Sequence, residues 1–260
     1  MSYETILFEV KDGVANLTLN RPDVFNAFNE QLSNDVNEAL KKTSRDKSIR
    51  VLVITGAGKA FCSGQDLKAI AGSQNRSLSE SLYKRYNPMI KAIRSLNIPV
   101  ICKLNGVAAG AGCSLALACD MIIASENASL IEVFVNVGLV LDSGSSYFLP
   151  RLVGSARAFE LASLGSKVSA QQAADWGMIN KVVKPEELDE AVNALALQYS
   201  LAPTKAIGLM KKMLNKSFTS DLDTMLEYEA YCQEIAGRSN DYKEGVAAFN
   251  EKRKPAFKGN

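Results

Sequence analysis

The chain has 260 residues, of which 47% are hydrophobic and 22% charged, and its formal net charge at pH 7 is +2. This composition is typical of a globular protein with a substantial core, and so small a charge gives no electrostatic reason to expect nucleic acid or a membrane as a partner. The chain contains no histidine, which excludes Ser-His-Asp and Cys-His catalysis and histidine-containing metal sites. Any acid–base chemistry near neutral pH must therefore use a carboxylate, tyrosine, lysine or cysteine.

The five cysteines are odd in number and form no CxxC pair. They are predicted to be reduced thiols in the core, not disulfides or zinc ligands, so no metal is expected. The amino terminus has no basic region followed by an apolar run, and no stretch is long and apolar enough to span a bilayer. These features predict a cytoplasmic protein.

Short β-prone runs alternate with helical patterns through the amino-terminal half. Strands are predicted over residues 5–10, 14–20, 51–55, 99–104 and 121–124, and helical segments over residues 29–42 and 69–94, the second of them helical or mobile. Asp12-Gly13 predicts the turn of a hairpin between the first two strands. Strands that alternate with helices predict βαβ units, an α/β fold and parallel strand pairing.

The carboxy-terminal part of the chain is predicted to be helical. Helices are expected over residues 156–164, 186–201, 203–216 and 221–236, and Ser169 to Gln172 matches a capping box at the start of another. We therefore expect a core with the functional site over residues 1–200. Residues 201–260 are expected to form a helical region that covers the site and builds subunit contacts.

Two glycine-rich stretches follow predicted strands. In the first, residues 105–120, Gly106, Gly110 and Gly112 leave almost no side-chain bulk around the start of a buried helix, which is predicted to begin near Ala111. The first N–H groups of that helix lack intrahelical acceptors and lie at the positive end of its dipole, so they suit an anion or a polarised carbonyl oxygen. Tight helix packing explains the same small residues equally well.

The second glycine-rich stretch, residues 56–67, follows the strand predicted over residues 51–55. Its spacing fits neither a Walker loop nor a GxGxxG loop. Ligands of α/β folds bind where such turns leave the strands. If the strands before the two stretches are neighbours, both stretches meet at one crevice, which favours a ligand site over simple packing.

Six segments, in the same order, resemble segments of the enoyl-CoA hydratase/isomerase, or crotonase, family. They are Leu-Thr-Leu-Asn-Arg-Pro at residues 17–22, Ala-Phe-Cys-Ser-Gly-Gln-Asp-Leu at 60–67, Asn-Gly-Val-Ala-Ala-Gly-Ala-Gly at 105–112, Leu-Pro-Arg-Leu-Val-Gly at 149–154, Ala-Ala-Asp-Trp-Gly-Met-Ile at 173–179 and Lys-Glu-Gly-Val-Ala-Ala-Phe at 243–249. The resemblance implies a spiral of ββα units with a helical carboxy-terminal region for trimerisation, in a homotrimer or a dimer of trimers. It also implies acyl-CoA thioester substrates, an enolate-like intermediate, and no cofactor apart from the coenzyme A of the substrate.

By position, the resemblance places the family's two oxyanion-hole donors on the backbone N–H groups of Gln65 and Ala111. A thioester enolate gathers negative charge on its oxygen, and preorganised donors stabilise it most where that charge develops. Further residues are expected to contact the substrate: Ser63, Gly64, Asp66, Leu67, Gly110, Ser114, Phe134 and Tyr147. Of these, Asp66 is expected to order its loop, and Tyr147 either lines the acyl pocket or packs in the core or an interface.

The resemblance breaks down at the two glutamates that hold and activate water in the hydratases of the family. Their positions are occupied by Ser114 and Phe134, and neither residue supplies the acid or base that hydration needs near neutral pH. One carboxylate remains in the family's catalytic region, Asp142. Its position is similar to that of the aspartate in ring-1,2-epoxyphenylacetyl-CoA isomerases, and the carboxylates of some Δ3,Δ2-enoyl-CoA isomerases lie nearby.

A 1,3-proton shift needs only one base, because the group that removes a proton from one carbon can return it to another. Asp142 is therefore the candidate catalytic residue of an acyl-CoA isomerase, and its apolar neighbours Val140 and Leu141 are expected to raise its pKa. The alternative is that Asp142 only caps a helix that begins near Ser143.

Other assignments remain open near this residue. Weak enoyl-CoA hydratase activity is the nearest alternative function. The position of Asp142 also resembles that of the nucleophile in 4-chlorobenzoyl-CoA dehalogenases. Those enzymes also need a histidine base, and this chain has no histidine, so dehalogenation is disfavoured. Glu132 lies two residues before Phe134, and alternation in a strand predicts the same face for both. A structural or solvated role is expected for Glu132, because no family motif matches it.

A non-catalytic RNA-binding or acyl-CoA-binding protein is an alternative of another class, because one animal relative in the family is similar to an RNA-binding protein with a lysine-rich helix. Basic residues do cluster in this chain: Lys41, Lys42, Arg45, Lys47 and Arg50. Acidic residues interrupt the cluster, so a solvated helix end is expected and no nucleic-acid partner.

Overall fold

The structure, a computed structural model, describes residues 3–69 and 77–260. Within these ranges the chain forms ten strands. They are β1 (Ile6–Lys11), β2 (Val14–Leu19), β3 (Val51–Gly56), β4 (Ala60–Cys62), β5 (Val100–Leu104), β6 (Val107–Ala109), β7 (Met121–Ser125), β8 (Ser129–Ile131), β9 (Lys167–Ser169) and β10 (Lys181–Val183).

The same ranges contain eleven α-helices. They are α1 (Glu30–Arg45), α2 (Leu78–Ser81), α3 (Asn87–Ser95), α4 (Ala111–Leu117), α5 (Ser145–Val153), α6 (Ser155–Leu164), α7 (Ala170–Asp175), α8 (Leu188–Ser200), α9 (Thr204–Ser217), α10 (Leu222–Gly237) and α11 (Asn240–Asn250). A π turn at Leu82–Tyr86 joins α2 to α3, and a 3-10 helix occupies Val133–Val137. No helix in the described ranges combines the length and apolar character that crossing a membrane requires.

The larger of two sheets has six strands in the order β1-β2-β3-β5-β7-β10. β1 and β2 pair as the predicted antiparallel hairpin, and Asp12 and Gly13 form its turn with φ angles of 51° and 79°. The remaining neighbours pair in parallel. Parallel strands covered on both faces carry continuous apolar runs, and every residue of β3 is buried.

The smaller sheet contains β4, β6, β8 and β9. Side chains from both sheets form the main core together with α1, α3 and α4. A second, smaller core lies on the other face of the six-stranded sheet, where Val51, Val53 and Ile101 pack against Leu188 and Val192 of α8. The two strands that precede the glycine-rich stretches are neighbours in the six-stranded sheet, because β3 pairs with β5. The expected convergence of the two stretches therefore occurs.

Most of the predicted elements are confirmed, including the capping box of Ser169 and Gln172 that opens α7, and all five cysteines are free and buried. The sequence pattern does not predict the smaller sheet, because strands of three residues are too short to show a periodicity, and it does not predict α11. Within the helical segment expected over residues 69–94, residues 70–76 lie outside the described residues, whereas residues 78–95 are helical.

The Arg50 guanidinium is turned toward the carboxy-terminal segment and does not belong to an exposed basic surface. It donates hydrogen bonds to Thr204 Oγ1 (2.9 Å), to the Phe257 carbonyl (3.0 Å) and to the Ala202 carbonyl. Burial lowers the pKa of Arg50, and the Asp241 carboxylate opposes that shift. The basic cluster at the end of α1 is therefore smaller than the sequence indicates.

A largely buried ion pair ties the carboxy-terminal helices to the sheet. The Lys211 ammonium of α9 lies 2.6 Å from Asp120 Oδ2 and donates to the carbonyls of Ile93 (2.9 Å) and Ile98 (3.3 Å). Burial lowers the pKa of Lys211, and the Asp120 carboxylate opposes that shift. Asp120 also pairs with Arg94 at 3.0 Å. These contacts hold α9 against the connection between α3 and β5.

We expect Lys211→Met to lower the free energy of unfolding by about 3 kcal/mol, at the low end of the range for breaking a buried ion pair, because Arg94 still faces Asp120. Urea denaturation at pH 7 and equal protein concentration measures the loss. The control is Lys212→Met, which removes the adjacent, exposed lysine and should change the free energy by less than about 0.5 kcal/mol. Equal losses in the two variants would show that the ion pair does not stabilise the fold.

Candidate active site

A cavity of about 330 Å³ opens where the loop after β4, the start of α4, residues 133–142 and the segment from α2 to the π turn meet. Eight of the residues expected at the site line it: Ser63, Gly64, Gln65, Leu67, Gly110, Ala111, Phe134 and Asp142. Apolar side chains form most of its described wall, and a few polar groups face it. This is the usual form of a small-molecule site.

The two glycine-rich stretches touch each other at this cavity. Gly64 has a φ of 91°, which favours glycine, and a Cβ placed on it would lie 2.7 Å from the Ala109 carbonyl oxygen. The same position is 3.5 Å from the backbone nitrogen of Ala111. Parallel pairing of β4 with β6 produces this close approach. As a result, Gln65 and Ala111 lie next to each other on the cavity wall.

Hydrogen bonds on both sides fix the backbone at Gln65. The Phe28 N–H donates to the Gly64 carbonyl (2.7 Å), and the Asp66 N–H donates to the Phe28 carbonyl (2.9 Å). The Gln65 side-chain amide also donates to the Phe28 carbonyl (2.8 Å), and the Tyr86 hydroxyl donates to Gln65 Oε1 (2.6 Å). The orientation of the peptide group at Gln65 is therefore set by its neighbours before any substrate binds.

Asp66 orders this loop and does not line the described part of the cavity. Its carboxylate accepts hydrogen bonds from Arg21 Nη2 (3.0 Å) and from the Ala69 N–H (3.1 Å). Burial raises the pKa of Asp66, but the Ala69 N–H and the Arg21 guanidinium outweigh burial and hold the pKa below its usual range. Asp66 is therefore a fixed carboxylate that anchors the loop.

α4 begins at Ala111, as the glycine pattern predicts, and all of its residues are buried. The Ser114 N–H donates to the Gly110 carbonyl (2.9 Å) and closes the first turn. A Cβ on Gly112 would lie only 2.2 Å from the Cys62 carbonyl oxygen, so α4 packs on β4 with no room for a side chain. Because Ala111 is the first residue of the helix, its N–H has no acceptor within the helix. A ligand oxygen in the cavity can accept from it.

Asp142 lines the cavity from the segment that connects the 3-10 helix to α5. The Ser143 hydroxyl donates to Asp142 Oδ1 (2.8 Å). The Asp142 backbone carbonyl accepts from the Ser145 N–H (3.0 Å) and from Ser114 Oγ (3.1 Å). Burial raises the pKa of Asp142, and the hydrogen bond from Ser143 opposes burial only in part. A carboxylate in these surroundings is a stronger base than an exposed one.

The interpretation of Asp142 as a mere helix cap is wrong. α5 begins at Ser145, its N-cap position is Gly144, and no side chain caps it. The chain passes through Ser143 and Gly144, both with positive φ, before the helix starts. These two residues separate the Asp142 side chain from the helix end, so its carboxylate remains at the cavity.

Ser114 and Tyr147, like Asp66, are not among the described lining residues. Ser114 is fully buried, and its hydroxyl contacts the backbone carbonyls of Gly110 (3.2 Å) and Asp142 (3.1 Å). The Tyr147 ring faces the Arg151 guanidinium, which lies 3.7 Å from the ring centroid. Sequence position brings Ser114 and Tyr147 close to the site but does not show which way their side chains point.

The helical segment before β5 supplies a further wall of the cavity, largely in the part of the chain, residues 69–85, from which the sequence leads us to expect the choice of acyl group to be set. Its lining residues are Leu78, Ser81, Leu82 and Tyr86. The π turn lies just before Pro88, which lacks an N–H and crowds the carbonyl of the residue four positions earlier, so the helix widens there. A proline after a run of helix formers is the one sequence signal for this distortion.

Glu132 is buried, with 2% of its surface exposed, and it precedes the 3-10 helix. Because Glu132 is buried, the expectation of a solvated position for it is wrong. The strand expected around it ends one residue earlier, at Ile131. Burial raises the pKa of Glu132 to about 7, the Ser145 and Cys113 side chains oppose that shift, and the charge of Asp142 adds to it. Glu132 is not among the residues that line the cavity.

Comparison with known proteins identifies the family. The family model for enoyl-CoA hydratase/isomerase matches residues 9–260. The chain belongs to the enoyl-CoA hydratase/isomerase family. Its sequence is 45% identical to the 1,2-epoxyphenylacetyl-CoA isomerase of Escherichia coli over 98% of this chain and 99% of that protein. It is 39% identical to a Rhodobacter capsulatus protein named "Probable enoyl-CoA hydratase", with both chains fully covered.

Solved structures share the same fold. The crystal structure of an enoyl-CoA hydratase from Bacillus anthracis superimposes with a TM-score of 0.94 at 33% identity and covers 99% of this chain and 100% of that one. The α/β crotonase fold expected from the six matching segments is therefore confirmed. Both isomerases and hydratases occur among the relatives, so family membership alone does not choose between the two reactions.

We expect Gly64→Ala to lower the turnover number by about 100-fold to 1000-fold, the loss typical of removing one oxyanion-hole donor. The added methyl group would push against the Ala109 carbonyl at 2.7 Å and separate Gln65 from Ala111. Gly177→Ala is the control, since Gly177 also has a positive φ of 72° but no atom within 4 Å of the position that a Cβ would take. Steady-state kinetics of both variants with an enoyl-CoA measures the effect, and equal rates would place the donors elsewhere.

Proposed function

We propose that this protein is an acyl-CoA isomerase that uses Asp142 as its single acid–base group and the backbone N–H groups of Gln65 and Ala111 as an oxyanion hole. The observation that carries the proposal is the position of Asp142, whose carboxylate lies on an apolar cavity wall with a raised pKa. The same cavity is lined by the two adjacent residues whose N–H groups would stabilise an enolate.

The oxyanion hole acts on the thioester carbonyl. When a proton leaves the carbon next to that carbonyl, the electron pair of the broken C–H bond moves toward the carbonyl oxygen. Two backbone donors that are already in place stabilise this charge without reorganising. The close contact between Gly64 and Ala109, and the hydrogen bonds around Gln65, supply that rigidity.

Asp142 then moves the proton. The carboxylate takes the proton from one carbon of the acyl chain, holds it as a neutral carboxylic acid, and returns it to a carbon two positions along, where a new C–H bond forms as the double bond shifts. Burial of Asp142 favours the neutral intermediate state. The Ser143 hydroxyl keeps the carboxyl group oriented between the two transfers.

Hydration is less well supported by the site. A hydratase of this family needs a second acid–base group to hold the attacking water. Ser114 is buried with its hydroxyl against backbone carbonyls, and Phe134 presents an apolar ring to the cavity. The buried Glu132 is not a lining residue, so it does not supply the missing group directly.

The substrate class follows from the relatives and the cavity. The name of the Escherichia coli relative supports a ring-1,2-epoxyphenylacetyl-CoA as one substrate, and an enoyl-CoA whose double bond migrates is the other. A cavity of about 330 Å³ with leucine and valine side chains accepts either apolar acyl group. The proposal also includes a homotrimer or dimer of trimers, which size-exclusion chromatography with light scattering measures.

We expect Asp142→Asn to lower the rate of 3-enoyl-CoA isomerisation by about 100-fold to 10,000-fold, the usual contribution of a general base. Hydration of 2-enoyl-CoA should be slow in both wild type and variant. The control is Asp175→Asn, an exposed aspartate on α7, which should leave isomerisation unchanged. Fast hydration by the wild type, or full isomerase activity in Asp142→Asn, would overturn the proposed function.

The same substitution should stabilise the fold at neutral pH. The pKa of Asp142 is raised on folding, so its protonated form favours the folded state, and that contribution is lost as pH rises from the unfolded value of about 3.9 through the folded pKa. Asparagine does not ionise and avoids the loss. Urea denaturation should therefore give a larger free energy of unfolding for Asp142→Asn than for wild type at pH 7, with the difference shrinking at acidic pH.

A further inference from the structure

Behind the cavity lies a buried carboxyl group that the proposed reaction does not use. Glu132 Oε1 accepts a hydrogen bond from Ser145 Oγ (2.9 Å), whereas buried Oε2 makes no hydrogen bond of normal geometry among the described residues, and the Cys113 thiol is the other polar group that acts on the carboxyl. A thiol is a weak donor, so this buried carboxyl is poorly compensated and costly to keep ionised. Packing alone does not favour a glutamate at this position, because an apolar side chain would avoid this cost.

A chain of hydroxyl groups connects this carboxyl to the backbone of the candidate base. Ser145 Oγ lies 2.7 Å from Ser114 Oγ, and either hydroxyl can be the donor. Ser114 Oγ in turn lies 3.1 Å from the Asp142 carbonyl oxygen and 3.2 Å from the Gly110 carbonyl oxygen. The chain thus ends on the residue that carries the base and on the residue before the helix that begins at Ala111.

The hydrogen bonds along this chain of hydroxyl groups can point in either of two directions, depending on which groups carry protons. When Glu132 is ionised it can only accept, so Ser145 must donate to it, and the Ser114 hydroxyl is then drawn to Ser145. When Glu132 is protonated it can donate to Ser145, Ser145 donates to Ser114, and the Ser114 hydroxyl then donates to the backbone carbonyls of Asp142 (3.1 Å) and Gly110 (3.2 Å). Each serine has one proton to donate, so the state of Glu132 decides whether the backbone carbonyls of Asp142 and Gly110 gain a donor.

We propose that Glu132 is a positioning residue for Asp142, and that it acts through the Ser145–Ser114 hydroxyl chain, which holds the Asp142 backbone in place while Glu132 carries a proton. This inference rests on the proposed function, in which Asp142 is the base. Glu132 itself touches no cavity surface in the described residues, so it acts on the rate through the placement of Asp142.

The groups that act on Glu132 fit this role. Among the described residues they are the Cys113 thiol from α4, the Ser145 hydroxyl from α5 and the Asp142 carboxylate. Burial and, to a smaller extent, the negative charge of Asp142 together raise the pKa of Glu132 to about 7. When Asp142 is ionised, its charge helps to keep the proton on Glu132. The two carboxyl groups are therefore coupled, with one proton held behind the site while the base is charged.

The first test is the pH dependence of isomerisation. Wild-type kcat should rise with pH as Asp142 ionises. It should then fall by about tenfold between about pH 6 and about pH 8 as Glu132 loses its proton. A fall of this size is smaller than the loss of about 100-fold that a 1 Å misplacement of a catalytic group can cause. KM should stay constant, because Glu132 does not touch the substrate. Glu132→Gln, which is neutral and can donate to Ser145, should keep kcat at the level of the maximum and remove the alkaline fall.

Two further variants provide a second test and a control for this experiment. Ser145→Ala cuts the chain while it leaves Glu132 in place, and it should also remove the alkaline fall; it serves if Glu132→Gln does not fold, as judged by circular dichroism. Glu126→Gln, an exposed glutamate between β7 and β8, should retain the wild-type profile. A uniform loss of kcat at every pH in Glu132→Gln and Ser145→Ala, with the alkaline fall retained, would show a structural role and overturn the inference.

A spectroscopic measurement separates this inference from the proposed function. Infrared difference spectra should show a protonated carboxyl band that titrates near pH 7, disappears in Glu132→Gln, and titrates at lower pH in Asp142→Asn because the opposing charge is gone. If Asp142→Asn retains full activity, the proposed function fails, and the inference fails with it. If Asp142→Asn is inactive but Glu132→Gln and Ser145→Ala keep the wild-type pH profile, only the inference fails.

Discussion

The close contact between two backbone segments is the constraint on which the rest of this structure depends. Gly64 lies against the Ala109 carbonyl and Gly112 lies against the Cys62 carbonyl, each at a distance that no side chain permits. Two three-residue strands, β4 and β6, bring these segments together. The two N–H groups of the candidate oxyanion hole thus follow closely after two paired strands of the smaller sheet. A site built on strands and a helix start needs no rearrangement to receive developing charge.

Two buried carboxyl groups impose a different kind of demand on the fold. Burial raises the pKa of both Asp142 and Glu132, so an ionised form of either one opposes folding at neutral pH. The buried Lys211 ammonium and the half-buried Asp120 carboxylate, by contrast, pair with each other. The paired carboxylate anchors α9, whereas the poorly paired ones near the cavity have the surroundings expected of groups with a chemical role.

Sequence patterns predict the larger sheet, the two glycine-rich stretches and most helices, because each of these elements carries a periodicity or a turn signal that does not depend on distant residues. They do not predict the smaller sheet, since its strands are short and are stabilised by neighbours far along the chain. They do not predict the direction of a side chain either. Ser114 and Tyr147 belong to matching regions yet lie outside the described lining, whereas Tyr86, at the end of the π turn, lies in it.

That π turn sets the rotational phase of the helix in front of the site. A π turn holds one residue more than an α turn, so everything before it is rotated by about 100° relative to a regular helix. Leu78 and Leu82 face the cavity, while Met89 and Ile93, after the turn, face the core. In a uniform helix these four side chains would lie on one face, whereas the π turn divides them between the cavity and the core. Leu78, which lines the cavity and does not belong to the main core, can therefore change in size without disturbing Met89 and Ile93.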